Sequence, residues 1–254
     1  MAVCRAIAGA WRASWNCCAG KAPGHRPGPR VNDTGPSGAR LDALTESLRT
    51  RGHALWPEAF DPQECEALVA GAAVSAEPRR IALAASWLDR IEALRRGLAP
   101  LAAQWRPATS APFEGDGAAR HPAQSGPLEG EGVAKHPPPD VWLTHTDAST
   151  DCPVVTSGDG DAGFGLLFIV LLNRAGLDFS GGELVLAEQR PRMQTRPHVV
   201  PLAQGGLAVI AAAGRPVQGA RGPYRVLMRH GVARVREGRR LALMLGWPLT
   251  RDAL

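Results

Sequence analysis

From Asp140 onward the sequence breaks into short apolar segments separated by glycine-bearing turns, with no helical period between them. This feature constrains the fold more than any other. The segments Val141–Thr146, Leu166–Leu172, Glu183–Ala187, His198–Leu202, Leu207–Ala211, Arg225–His230 and Arg240–Trp247 all have strand length. Gly181-Gly182, Gly205-Gly206 and Gly214 to Pro216 punctuate them. Strands that follow one another without intervening helices imply an antiparallel sandwich or jelly roll.

The region before Asp140 reads differently. Leu41, Leu44 and Leu48 keep helical spacing. Asp61-Pro62-Gln63-Glu64 has an N-cap, a first-turn proline and a reciprocal capping glutamate, followed by the apolar stripe Cys65, Leu68, Val69 and Ala72. Trp87, Ile91, Leu94, Leu98, Leu101 and Trp105 alternate steps of four and three, as the buried face of a long scaffold helix does. The fold class is therefore α+β, with helices placed before the strands.

The expected organisation is a leader over 1–35, a helical support region over 36–106, a loop over 107–139 and the strand-rich core over 140–254. The loop carries two similar stretches, APFEGDGAARHP (111–122) and GPLEGEGVAKHP (126–137). Two copies are too few for a solenoid, and His121 and His136, each followed by proline, read as part of a solvated duplication. The acidic loop 151–163 lacks the register and terminal glutamate of an EF-hand.

Charge and cysteine usage narrow the function classes. The net charge of +5 lies in residues 1–30, which hold five basic residues and no acid; the remaining chain is neutral. A neutral body with 5% aromatic residues gives no basic groove for nucleic acid, so no nucleic-acid partner is expected. No apolar run approaches the roughly 20 residues of a membrane span, so no membrane partner is expected either. Five cysteines without a C-x-x-C pair suggest neither a disulfide framework nor a zinc site. An intracellular compartment follows, cytoplasmic by default. Organelle import is the alternative if the acid-free leader is a transit peptide.

Two segments carry chemistry. His145-Thr146-Asp147 places an imidazole and a carboxylate two residues apart at the end of a strand, hence on one face. His230 closes another strand. Two imidazoles and one carboxylate are the donor set of a facial non-haem iron(II) site. Arg240 follows His230 by ten residues across a turn at Gly238, and a buried arginine fork suits a carboxylate.

In this order, H-T-D (145–147), FSGGEL (179–184), RHGV (229–232) and G-R-R (238–240), the chain resembles the 2-oxoglutarate- and Fe(II)-dependent oxygenases, with the prolyl 4-hydroxylase-like branch most similar. The resemblance implies a double-stranded β-helix, a jelly roll buttressed by N-terminal helices. It implies His145, Asp147 and His230 as catalytic iron ligands, Arg240 as the partner of the distal 2-oxoglutarate carboxylate, and a structural Glu183. It implies Fe(II), the cosubstrates 2-oxoglutarate and O2, and ascorbate as an optional reductant. The reaction would hydroxylate an unactivated C–H bond of an amino acid or protein side chain, releasing succinate and CO2. The family's cosubstrate tyrosine has no counterpart; Val141-Trp142 occupies that stretch. The alternative is a jelly-roll metal-binding module with weakened catalysis.

Overall fold

The computed structural model describes residues 35–71, 78–105, 138–150, 153–155, 163–220 and 222–247. The chain divides into two units, Met1–Asp33 and Thr34–Leu254, and every described residue lies in the second. The expectations for residues 1–30, for the duplication with His121 and His136, and for most of the 151–163 loop fall outside the described residues.

Among the described residues three helices arise where the apolar spacing and the caps place them. Helix α1 (Gly38–Arg51) begins where the Ser37 hydroxyl accepts from the Arg40 amide. It ends at Gly52, whose φ of 76° turns the chain left-handed while its amide donates to Leu48. Helix α2 (Pro62–Gly71) carries the expected capping box: Gln63 N donates to Asp61 Oδ1 at 2.7 Å, and Asp61 N to Glu64 Oε2 at 3.3 Å. Cys65 is its fully buried contact. Helix α3 (Ala85–Trp105) buries Trp87, Ile91, Leu94, Leu98, Leu101 and Trp105, and Trp87 stacks on Phe60.

The strands form two sheets, and every strand pairing within them is antiparallel. The larger runs β1 (His53–Trp56), β8 (Leu207–Ala211), β4 (Leu166–Leu171), β11 (Val235–Gly246), β3 (Asp140–Asp147) and β2 (Arg79–Arg80), with β5 (Phe179–Gly181) on β11. The smaller runs β7 (Arg196–Val200), β6 (Leu184–Gln189), β10 (Gly222–Val232) and β9 (Gly214–Gly219). Antiparallel sheets with few helices are what the sequence implies. It does not announce β1, β2, β5 or β9.

Strand register tells the two faces of the larger sheet apart. Leu243 stands opposite Val170 and Leu245 opposite Phe168. Phe168 packs edge-on against Trp247, and the Arg95 guanidinium of α3 lies 6.0 Å from the Trp247 ring, so this face looks at the helices. On the other face Ala242 stands opposite Leu171, which shares a cavity with Leu184 of β6 and Val200 of β7. That face looks at the smaller sheet. Among the described residues no helix is long and apolar enough to cross a membrane.

Candidate functional site

A cavity of about 700 Å³ opens between the sheets, lined by Leu171, Phe179, Gly182, Leu184, Val200 and Arg240 among others. Its walls are mainly hydrocarbon. Arg240, only 3% exposed, is a buried cation set into them; Arg174, ion-paired with Asp178 at 2.9 Å, also lines the cavity. Neighbours on a strand point to opposite faces, which is why Arg240 is buried while Arg239 stays in solvent. Such a fork in an apolar wall is suited to a carboxylate, because little water competes for its donors.

The Gly-Gly turn shapes the same cavity. Gly182 has φ of 69°, and a Cβ there would stand 3.0 Å from Val235 Cγ2 and 3.1 Å from Arg240 Cδ. Glycine is thus needed both for the left-handed backbone and for the close passage over the arginine stem. Glu183 also lines the cavity, and its carbonyl accepts from the Ala233 amide at 2.8 Å.

His230 belongs to the smaller sheet. It stands opposite Leu186, which shares a face with Leu184 two residues earlier, so the imidazole looks into the space between the sheets. On the other edge of β10, Val155 N donates to His230 O and His230 N to Val155 O, both at 2.8 Å. Burial lowers the His230 pKa, favouring the neutral ring. Its Nδ1 has no hydrogen-bond partner among the described residues.

His145 and Asp147 do share a face, with Nε2 and Oδ2 3.8 Å apart. It is not the face of Arg240. In the β3–β11 pairing Thr146 stands opposite Arg240, His145 opposite Leu241 and Asp147 opposite Arg239. His145 therefore lies on the helix-facing side of the larger sheet with Leu241 and Leu243. Neither of its ring nitrogens hydrogen-bonds among the described residues. The Asp147 carboxylate is committed to a turn: Oδ1 accepts from Ser149 N at 2.9 Å, Ser149 Oγ at 2.6 Å and Thr150 Oγ1 at 2.9 Å. The hydrogen bonds from Ser149, then that from Thr150, hold its pKa down at about 2.

The structure thus brings His145 to Asp147, but leaves His230 on the inner face of the other sheet. Among the described residues no three His, Cys, Asp or Glu side chains form a group that could hold a metal ion. The cause is register, because a one-residue offset in pairing turns every side chain of a strand to its other face.

Sequence reasoning missed a buried ionic cluster further along β6. Glu188 accepts from Arg215 Nη2 at 2.8 Å and Arg190 Nε at 2.6 Å. Arg215, 2% exposed, also donates to the Arg49 and Thr50 carbonyls at the end of α1. Burial alone would raise the Glu188 pKa, but the two arginines outweigh it and lower it. The E-x-R spacing at 188–190 hinted at half of this cluster; Arg215 lies on another strand.

Residues 151–247 match a family model, Oxygenase-NA, described as an oxygenase catalysing oxidative methylation of damaged DNA. This stretch is oxygenase-like. The oxygenase-like stretch includes His230, Arg240 and the Gly-Gly turn, and begins after Asp147. Two uncharacterised proteins of Mycobacterium tuberculosis, from strains CDC 1551 / Oshkosh and ATCC 25618 / H37Rv, are each 38% identical over 86 residues. That alignment covers 34% of this chain and 37% of theirs, so the chain spans little more than a third of the length of these relatives. Among solved structures, a Pseudomonas putida prolyl-4-hydroxylase is 13% identical with a TM-score of 0.49, covering 82% of this chain and 98% of that one. A 2OG-Fe(II) oxygenase-family oxidoreductase from Burkholderia pseudomallei is 18% identical with a TM-score of 0.45, covering 81% and 88%. Structural likenesses of this degree carry no weight for function.

Proposed function

We propose that the chain is an oxygenase that uses 2-oxoglutarate as cosubstrate, its strands forming a double-stranded β-helix. In this reading it hydroxylates an unactivated C–H bond, of an amino acid or protein side chain, with release of succinate and CO2. The supporting observation is Arg240, buried in the inter-sheet cavity and lying ten residues beyond His230 within the oxygenase-like stretch. The cavity fits the cosubstrate: the guanidinium takes one carboxylate, the Gly-Gly turn leaves room beside it, and Leu171, Phe179 and Leu184 keep water from the stem.

The activity also calls on Fe(II), which would supply the oxidation of C–H bonds that no side chain can perform. The clustered donors among the described residues do not fit such an ion: His145 and Asp147 lie on one sheet's outer face and His230 on the other's inner face. What this chain's own residues do is bind one carboxylate, fix its orientation, and exclude water around it.

That misfit favours a second reading, a module that keeps the pocket but has weakened or lost turnover. Anaerobic titration with Fe(II) and 2-oxoglutarate, followed by air and succinate assay, separates the two. An oxygenase gives a weak charge-transfer absorption and then succinate; a module gives neither. The family description names damaged DNA, so the substrate panel pairs peptides and amino acids with alkylated DNA.

A further inference from the structure

We infer that the carboxylate pocket and the His145-Thr146-Asp147 motif are two separate places in this chain, and that the pocket takes its dicarboxylate through Arg240 with no metal held by that motif. This rests on the reading of the cavity as a 2-oxoglutarate site and sides with the second reading above, a pocket that binds the cosubstrate without turnover.

Three observations converge. The first is register: Arg240 pairs with Thr146, which puts His145 and Asp147 on the opposite side of the larger sheet from the cavity. A metal–ligand bond is about 2 Å, so donors to one ion lie within about 4 Å of one another. His145 and Asp147 meet that limit at 3.8 Å, but as a pair on the helix-facing side. The second is the surroundings of His230. The residues directly across from it on either edge of β10 are Leu186 and Val155, both hydrocarbon, so its cross-strand neighbours supply no donor.

The third is that Asp147 already has an occupation. Its Oδ1 accepts three hydrogen bonds from Ser149 and Thr150, its amide donates to Thr150 Oγ1 at 3.1 Å, and its carbonyl accepts from the Thr150 amide at 3.1 Å. This is the work of a turn-closing aspartate, which ends β3 and sets the direction in which the chain leaves the sheet. The motif is a structural stop that happens to spell a metal-binding sequence.

The test is calorimetric titration of the full chain with 2-oxoglutarate, first in EDTA and then with Mn(II) as a redox-silent stand-in for Fe(II). The separation predicts affinities that agree within about twofold in the two conditions. Arg240→Ala should weaken both by roughly tenfold or more. His145→Ala and Asp147→Asn should leave both unchanged, and should bind Mn(II) no differently from the parent chain by electron paramagnetic resonance. Asp147 is partly exposed, so Asp147→Asn keeps the test decisive even if His145→Ala fails to fold. Binding that requires Mn(II), and loses that requirement in Asp147→Asn, would overturn the separation while leaving the cosubstrate reading intact. No binding in either condition would overturn the cosubstrate reading itself, and with it the metal-free pocket.

Discussion

Arg239 and Arg240 are neighbours in sequence with opposite surroundings, and the residue scale gives them opposite expected behaviour. Arg240→Ala should cost about 2–5 kcal/mol of 2-oxoglutarate binding, the range for truncating one partner of a buried charge pair. That is roughly one to three orders of magnitude in affinity. Lysine at position 240 should restore part of it as a point charge in place of a fork, and Arg239→Ala should be nearly silent; one titration series decides all three. If Arg239→Ala were the more damaging, the register of β11 would be wrong. Asp147 allows a pH test. Its folded pKa, about 2, lies below the unfolded value of about 4, so its turn contributes stability above pH 4 and loses it as pH falls through 2. The melting-temperature gap between the parent and Asp147→Asn should be full near neutrality and should close in strong acid.

At the scale of elements, what could be read from the sequence depended on whether the signal was local. The three helices were legible because stripe and cap lie within one segment. Asp61→Ala should accordingly cost about 1 kcal/mol through the lost cap on Gln63, measurable by denaturant titration. Strands β3, β4, β6, β7, β8, β10 and β11 were legible from apolar runs and the glycines between them. Strand β1 was not, because its four residues follow a helix-ending glycine without a pattern of their own, and β9 was not, because GRPVQG offers a proline and a single β-branched residue. The candidate site divides along the same line. That Arg239 and Arg240 face opposite ways was legible from period two; that Arg240 is the inward one was what the family resemblance implied. The face on which His145 and Asp147 lie was not, because that depends on which residue of a strand nearly a hundred positions away stands opposite. Gly182→Ala tests the turn: the added methyl should push on Arg240 and weaken 2-oxoglutarate binding along with stability.

Across the whole molecule, the helices are tied to both sheets by a few buried groups. Arg215 joins β9 to the α1 carbonyls and to Glu188 of β6, so Glu188→Ala should strand a buried cation and cost about 3–5 kcal/mol in chemical denaturation. Trp247 does the apolar counterpart, touching Phe164 and Phe168 beneath Arg95 of α3; Trp247→Ala should cost a similar ~3–5 kcal/mol. Cys65 sits in the middle of this arrangement on α2, with no measurable exposure and a thiol pushed up to about 11, chiefly by burial. At pH 8 only about one such thiol in a thousand is ionised. An alkylating reagent therefore reaches Cys65 only when α2 lifts away, and the labelling rate of its peptide, followed by mass spectrometry, becomes a clock for that opening. Removing the Asp61 cap should speed that clock about fivefold, the kinetic face of 1 kcal/mol.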